Sequence, residues 1–233
     1  MSHGARSPEA IGVLGGTFDP VHLGHLRIAE ETRRLLGLSR TLLLPTALPP
    51  HKHKGELSPV EHRVAMVRLA ASETEGIEVC PLELEPERVC YTLDTLRALS
   101  RGPHPLRPVF ILGMDSLLQF TIWRGWQDLV REFDLAVVGR SESEGSKADD
   151  ALDPALVDRL VSVQAGPASG DGIEELQPGR GGRIFRLSVE PIPISSSAIR
   201  AHARAGRDLG NLVPPGVAEY IQRTGLYRRE EAR

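Results

Sequence analysis

Apolar and polar positions follow two alternating periods along this chain. Short runs that are apolar throughout are typical of strands covered on both faces, and longer stretches with apolar residues three or four apart are typical of helices. The strands predicted in this way lie at 10–14, 41–44, 77–80, 109–112, 135–138 and 184–189. Between and after them the pattern predicts helices at 26–36, 58–70, 92–99, 196–205 and 216–224.

Strands that alternate with helices indicate βαβ units, so the predicted fold class is α/β with a doubly wound, Rossmann-like parallel sheet. In such sheets ligands bind outside the carboxyl ends of the strands. Gly15, Pro45, Gly113 and the loop at Ile194 each follow a predicted strand. We therefore expect them to converge on one cleft, within a single domain that spans residues 10–228.

Local signals mark several element ends. Ser58 is the predicted N-cap of its helix, with Pro59 in the first turn and Glu61 closing a capping box. Thr92 is a predicted cap too, and Gly225 a predicted helix stop. Residues 141–182 interrupt the rhythm and form a predicted flexible insertion, with a short helix at 154–163 and a Gly-rich surface loop at 166–182.

Composition narrows the class of protein. The chain has 233 residues, a net charge of −3 and 40% hydrophobic residues, which is typical of a globular domain and gives no case for a general nucleic-acid or membrane-surface binder. No run approaches the roughly 18 apolar residues of a membrane span, and the first ten residues are not a signal peptide. Cys80 and Cys90 form no Cys-x-x-Cys pair, so they are predicted thiols in a cytoplasmic enzyme.

The candidate chemistry concentrates in residues 15–25, which read Gly-Gly-Thr-Phe-Asp-Pro-Val-His-Leu-Gly-His. Glycines after a strand let the backbone approach a ligand, and the N–H groups that open the next helix favour an anion. His22 and His25, three residues apart, point the same way from that helix start. The pattern predicts a polyphosphate site, while a metal site and structural or capping histidines stay open as alternatives.

These residues resemble the phosphate-binding motif of the nucleotidyltransferase superfamily, and the longer match resembles the nicotinate-nucleotide adenylyltransferase family in particular. Further motifs of that family follow in order, between about residues 11 and 227: 49–52, 91–96, 113–117, Trp123, 194–200, 212–214, 220–221 and 226–227. The resemblance implies a nucleotidyltransferase-type sheet with C-terminal helices. It also implies transfer of AMP from ATP to nicotinate mononucleotide, forming deamido-NAD and pyrophosphate.

The resemblance also implies roles for individual residues. The implied ATP-binding residues are Gly15, Gly16, Thr17, Phe18, His22, His25, Ser195, Ser196, Ser197 and Arg200. The implied catalytic residues among or beside them are His22, His25, Lys52 and Arg200. The implied mononucleotide-binding residues are Asp19, Lys52, Tyr91, Thr92, Asp115 and Trp123.

Each of these residues has a structural alternative. Asp19 precedes a proline and serves equally well as a turn stabiliser. Lys52 lies in a charged run of the kind that is usually solvated, and the three serines before Arg200 are ordinary helix-capping residues. Trp123 stacks on the pyridine ring or fills the core, for which the second tryptophan, Trp126, is the better candidate.

Other polar residues have less specific signals. Arg140 matches the family, but Ser141 and Glu142 replace the Pro-Gly that usually follows it, which puts the nearby turn in doubt. No role is assigned to Arg124. The remaining candidates are interpreted as helix-surface residues: His62, Arg63, His202 and Arg204.

The resemblance implies Mg²⁺ as the cofactor, bound through the phosphates of ATP and water, with no metal ligand from protein side chains. The implied partners are ATP and nicotinate mononucleotide, with no nucleic acid and no membrane; a homo-oligomer stays open. Nicotinamide mononucleotide is the alternative acceptor. A nucleotide-sensing module without turnover is the alternative from another class, and the absence of Gly-x-Gly-x-x-Gly argues against a dehydrogenase.

Overall fold

A computed structural model of the chain describes residues 8–47, 57–84, 90–102, 104–139, 150–163, 182–190 and 192–228. The predictions for Lys52, for Arg140 and for most of the Gly-rich loop lie outside these residues.

Seven strands and eight α-helices are described. The strands are β1 (Glu9–Gly16), β2 (Thr41–Pro45), β3 (Ile77–Val79), β4 (Leu106–Gly113), β5 (Asp134–Gly139), β6 (Leu160–Val163) and β7 (Ile184–Ser188). The helices are α1 (Leu23–Leu35), α2 (Val60–Ser72), α3 (Thr92–Arg101), α4 (Met114–Leu118), α5 (Trp126–Glu132), α6 (Pro154–Val157), α7 (Ser196–Arg204) and α8 (Pro215–Thr224), with a 3₁₀ turn at Phe120–Ile122.

The strands form one sheet in the order β3-β2-β1-β4-β5-β7-β6. Pairing is parallel between β1 and β4, β4 and β5, β5 and β7, and β6 and β7. The strand order reverses between β1 and β4, which is the position where doubly wound sheets bind ligands. This topology confirms the predicted fold class.

The chain divides into two compact units. The first comprises Met1–Leu14, Glu31–Thr41 and Tyr91–Glu190, and the second comprises Gly15–Glu30, Leu42–Cys90 and Pro191–Arg233. The prediction of a single domain stays a prediction, so each unit is described by itself.

In the first unit, the central strands β4 and β5 form the core. Residues 109–112 and 134–137 are all buried, as expected for parallel strands covered on both faces. Asp134 is the charged exception and is 3% exposed. Its carboxylate accepts hydrogen bonds from Arg107 at 2.8 Å and Arg183 at 3.1 Å, which compensate the burial of its charge.

In the second unit, α2 packs against β3 and α8. The buried stripe of α2 contains Val64, Met66, Val67 and Ala70, as its helical spacing predicts, but Arg63 also belongs to it. Helix α8 ends at Gly225, whose φ of 67° lies in the left-handed region, so the predicted glycine stop is confirmed.

Three local predictions are wrong. Ser58 does not cap α2, because Pro59 takes the cap position and makes no side-chain bond there. Thr92 is the first residue of α3 and Tyr91 its N-cap, again without a side-chain bond. The predicted helix at 154–163 ends at Val157, and Leu160–Val163 is a strand paired with β7. The apolar pattern continues past the helix because three of the four residues of this short strand are apolar.

Both cysteines are thiols, Cys80 buried and Cys90 half-buried, as predicted. Helices α4 and α5 were not predicted; each is too short to show a full helical period. Within the described residues, no helix has the length and apolar character needed to cross a membrane.

Candidate functional site

In the turn after β1, the backbone of Gly16 lies close to the ring of Phe18. A Cβ on Gly16 would lie 3.0 Å from atoms of the Phe18 ring, so a side chain at that position would force the ring to shift. Phe18 is 2% exposed and has a φ of 49°, a conformation that non-glycine residues seldom adopt. Gly15, Gly16 and Thr17 are only half-buried, so this turn is partly accessible to solvent.

The two histidines of the motif bind each other at the start of α1. The backbone N–H of His22 donates to Nδ1 of His25, and the N–H of His25 donates to Nδ1 of His22, both at 3.3 Å. The rings stack with their centroids 3.7 Å apart. His22 is 7% exposed and His25 is half-buried. The capping alternative is therefore observed in the structure, since these side chains satisfy N–H groups at the helix start.

This arrangement fixes the charge and the tautomer of both rings. Desolvation by burial lowers the pKa of His22 to about 4. Desolvation, followed by the neighbouring His22, lowers the pKa of His25 to about 3. Both imidazoles are therefore neutral at neutral pH, and because each Nδ1 accepts a hydrogen bond, each Nε2 carries the proton. The pair presents two oriented N–H donors and no positive charge.

Gly24 makes room for this stacked pair. A Cβ at Gly24 would lie 3.0 Å from Nδ1 and 3.1 Å from Cε1 of His22. A side chain at this position would press on the His22 ring and displace it by a few tenths of an ångström.

Helix α7 contacts the loop that joins β1 to α1. Ser195 caps the helix by accepting from the N–H of Ala198 at 3.2 Å, as predicted. The hydroxyl of Ser196 donates to the carbonyl of Pro20 at 2.9 Å. Arg200 donates to the carbonyl of Asp19 at 2.7 Å. The structure therefore brings the serine-arginine motif together with the histidine motif, as the sequence predicted.

Asp19 is placed as a structural residue. It is 3% exposed, and both carboxylate oxygens are occupied: one accepts from Tyr227 Oη at 2.7 Å and the other from the N–H of Ser58 at 3.1 Å. This geometry favours the turn-stabilising alternative over contact with the mononucleotide, and the latter stays a prediction.

Arg63 is a residue that sequence reasoning placed wrongly, on the helix surface. It is 1% exposed, and its guanidinium donates to four backbone carbonyls, those of Thr17, Thr46, Ala47 and Ser58. It thereby connects the turn at residues 15–20, called the phosphate turn after its predicted role, to the loops after β2 and before α2. A signal was present, because Arg63 lies one turn before Val67 on the apolar stripe of its helix. His62 is also not free on the surface, since its Nδ1 lies 2.8 Å from Tyr220 Oη.

Four of the residues predicted to bind the mononucleotide, Tyr91, Thr92, Asp115 and Trp123, lie in the first unit, whereas Asp19 lies in the second. Tyr91 and Thr92 stand half-buried at the start of α3, and Asp115 is exposed in the first turn of α4. Trp123 is half-buried, with its ring 5.2 Å from Phe120 between centroids. The prediction that Trp126 fills the core is wrong, because it too is only half-buried.

The loop after Trp123 packs against the start of α3. The guanidinium of Arg124 lies 4.3 Å from the centre of the Tyr91 ring, a cation–π contact. A Cβ on Gly125 would lie 2.7 Å from Leu93, so the loop approaches α3 closely. This contact brings Trp123 and Thr92 into neighbouring segments of one unit. Their contact with a mononucleotide stays a prediction.

Among the described residues, no three His, Cys, Asp or Glu side chains come together in a metal-binding cluster. The groups around the phosphate turn are imidazole N–H donors, serine hydroxyls and the guanidinium of Arg200. Such a donor set suits an anion with several oxygens and resembles the electrostatic sites that bind phosphate.

Comparison with known proteins finds similar sequences over almost the whole chain. A family model described as cytidylyltransferase-like matches residues 13–202. A protein of Symbiobacterium thermophilum named "Probable nicotinate-nucleotide adenylyltransferase" is 38% identical over 222 residues, which cover 95% of this chain and 97% of the relative. A protein of the same name from Aeromonas hydrophila is 41% identical over 94% of this chain and 97% of its own length.

Among solved structures, the chain is similar to the Plasmodium falciparum nicotinic acid mononucleotide adenylyltransferase complexed with NaAD. The TM-score is 0.68 with 17% sequence identity, over 94% of this chain and 97% of the other. At this identity the likeness supports the fold.

Proposed function

We propose that this protein transfers AMP from ATP to nicotinate mononucleotide. The chain belongs to the cytidylyltransferase-like family and, within it, to the nicotinate-nucleotide adenylyltransferases. The products are deamido-NAD and pyrophosphate. The observation that carries the proposal is the stacked pair His22–His25, fixed as two neutral Nε2–H donors beside a loop that Arg200 also binds.

The reaction requires that the two substrates are positioned in line and that the negative charge of the leaving pyrophosphate is stabilised. The phosphate of the mononucleotide is already ionised at neutral pH and attacks the α-phosphorus of ATP in line, while the bond to the bridging oxygen of the β-phosphate breaks. That oxygen and its neighbours gain negative charge as pyrophosphate leaves. Preorganised N–H donors that bind these oxygens lower the barrier without any general base.

Neutral histidines are suited to this task. A donor that is already uncharged loses no proton to the phosphate and needs no counter-ion before ATP arrives. Arg200 adds a permanent positive charge whose planar donors can bind two phosphate oxygens. We assign His22, His25 and Arg200 to the triphosphate, with Ser195, Ser196 and Ser197 at the start of α7 as further donors.

The divalent cation that enzymes of this kind use is, in this proposal, Mg²⁺. The donors around the phosphate turn are N–H and O–H groups, so the cation would be held by phosphate oxygens and water, which Mg²⁺ accepts readily. When bound, it neutralises part of the charge of the triphosphate.

On the acceptor side, Trp123 offers a flat face to the pyridine ring, and Thr92 offers a hydroxyl and a backbone N–H. Asp115 is assigned to a ribose hydroxyl and Lys52 to phosphate. These assignments follow from the family motifs that the residues match.

The decisive experiment measures pyrophosphate release from ATP and Mg²⁺ with either nicotinate or nicotinamide mononucleotide. We expect release with both substrates present and a kcat/KM ratio in favour of the acid. A ratio in favour of the amide would make nicotinamide mononucleotide the acceptor instead. An absence of pyrophosphate release with either acceptor would contradict the enzyme proposal.

A variant tests the role of the histidine pair. His25→Ala is expected to lower kcat by roughly 10²-fold, because an oriented transition-state donor is lost. Exposed His104 in the first unit supplies the control, since His104→Ala removes an imidazole far along the chain from the motif. A change in KM alone for His25→Ala would argue against a transition-state role.

A further inference from the structure

Tyr227 binds the phosphate turn from the C-terminal end of the chain. It lies just after Gly225 with a φ of 71°, and its hydroxyl donates to the Asp19 carboxylate at 2.7 Å. Burial, and then the hydrogen bond to Asp19, raise the pKa of Tyr227 above its ordinary value. The phenol therefore stays protonated and donates to the carboxylate.

Asp19 connects Tyr227 to Arg200, because its side chain binds one and its backbone carbonyl binds the other. Its second carboxylate oxygen accepts from the N–H of Ser58, so the side chain is held from two directions. The backbone carbonyl of the same residue accepts the 2.7 Å hydrogen bond from Arg200. A residue whose side chain is fixed at both oxygens fixes its own carbonyl, and that carbonyl orients the guanidinium.

We infer that Tyr227 is a positioning residue, which acts through Asp19 to hold Arg200 in the orientation that binds the triphosphate of ATP. The inference rests on the proposed function. It gives the closing segment of the chain a role in ATP binding that its distance in sequence from the motif does not suggest.

The chain contains a matched control. Tyr220 Oη lies 2.8 Å from Nδ1 of His62, so this phenol also makes a hydrogen bond between the C-terminal segment and the N-terminal part of α2. Neither Tyr220 nor His62 contacts the phosphate turn in any hydrogen bond of the described residues. Tyr220→Phe and Tyr227→Phe each delete one hydroxyl from one such bond, and both should lower Tm.

The first measurement is ATP affinity by calorimetry in the absence of acceptor, together with the KM for ATP. Tyr227→Phe is expected to weaken ATP binding about tenfold, the order of effect of one hydrogen bond to a charged group. Tyr220→Phe is expected to stay within about twofold of the unmodified protein. The KM for the mononucleotide should change little in either variant.

The second measurement is a double-mutant cycle with Arg200→Ala. If Tyr227 acts through Arg200, Tyr227→Phe should have almost no further effect on ATP affinity once the guanidinium is gone. A purely structural role would give the same loss in both backgrounds. Asp19→Asn, which weakens the same link from the other end, serves if Tyr227→Phe does not fold.

Equal effects of the two phenol deletions, or an undiminished effect in the Arg200→Ala background, would overturn the inference. These outcomes are separate from failure of the proposed function. A protein that binds ATP but releases no pyrophosphate refutes the reaction and still tests Tyr227, because calorimetry needs no turnover.

Discussion

At the scale of single residues, Gly24 affects the proposed chemistry through its packing against the His22 ring. A Cβ at this position would press on the His22 ring, and the mutual N–H···Nδ1 bonds of the two histidines fix the direction of both Nε2–H groups. The reactive geometry thus depends on a residue that makes no contact with substrate in the proposal.

Gly24→Ala is expected to lower kcat roughly tenfold, because a ring displaced by a few tenths of an ångström donates along the wrong direction. Tm should change little, since Ala is the better helix former. Steady-state pyrophosphate release measures the effect. Gly102→Ala is the control, because its Cβ would meet Ala98 only at an ordinary 3.5 Å. Equal losses in the two variants would show that the ring does not need this space.

The buried histidines also predict a pH dependence of stability. In the unfolded chain each imidazole binds a proton as the pH falls below about 6.5. In the folded protein the pKa values are about 4 for His22 and about 3 for His25, so the folded state does not bind these protons until lower pH. The contribution to stability is therefore complete above about pH 6.5 and is lost as the pH falls toward these values.

Urea unfolding at about pH 7 and about pH 5 measures this loss. Each histidine contributes a slope of at most about 1.4 kcal/mol per pH unit in that window. The double variant His22→Asn, His25→Asn should show a flatter dependence than the unmodified protein. Two parallel curves would mean that the folded histidines bind protons as readily as the unfolded ones.

At the scale of elements, the starts of α2 and α7 show how similar sequence signals lead to different structures. Both have serine at the predicted cap. Ser195 caps α7, whereas Ser58 uses its N–H for Asp19 and its carbonyl for Arg63, and Pro59 takes the cap position. A cap needs the serine side chain to accept from the first turn of its helix, and the side chain of Ser58 hydrogen-bonds with Tyr227 instead.

The cap of α7 can be separated from phosphate binding. Ser195→Ala should cost about 1 kcal/mol of unfolding free energy and weaken ATP binding. Ser195→Asp keeps an acceptor for the Ala198 N–H and should restore stability, while its negative charge repels the triphosphate and weakens ATP binding further. Urea unfolding and calorimetry with ATP measure the two effects. Recovery of both stability and affinity in Ser195→Asp would place the triphosphate away from this helix start.

At the scale of the whole molecule, most residues assigned to the two substrates separate by unit, and the exceptions are Asp19 and Lys52, which belong to the second unit although they are predicted for the mononucleotide. The described residues assigned to the triphosphate, which run from the histidine motif to Arg200, belong to the second unit. Four residues assigned to the mononucleotide, Tyr91, Thr92, Asp115 and Trp123, belong to the first. The sequence interleaves these two sets, and the chain enters each unit more than once.

This division predicts that each variant changes the KM for one substrate only. Arg200→Ala should raise the KM for ATP roughly tenfold with little change for the mononucleotide, because a charge-assisted contact to phosphate is lost. Trp123→Ala should raise the KM for the mononucleotide by a similar factor with little change for ATP, because a stacking face is lost. Initial rates with each substrate varied in turn measure both. Parallel changes in the two KM values would contradict the assignment of one substrate to each unit.

The sequence by itself determined the alternation of strands and helices, the doubly wound fold class and the family, because hydrophobic period and contiguous motifs are local properties of the chain. It also located the histidine pair, the capped start of α7 and the glycine stop of α8. Only the tertiary structure decided the neutral charge and the tautomer of His22 and His25. Only that structure showed the burial of Arg63 and the links of Asp19 to Tyr227, Ser58 and Arg200. Those properties depend on desolvation and on partners up to 208 residues apart in sequence, and no local pattern contains either.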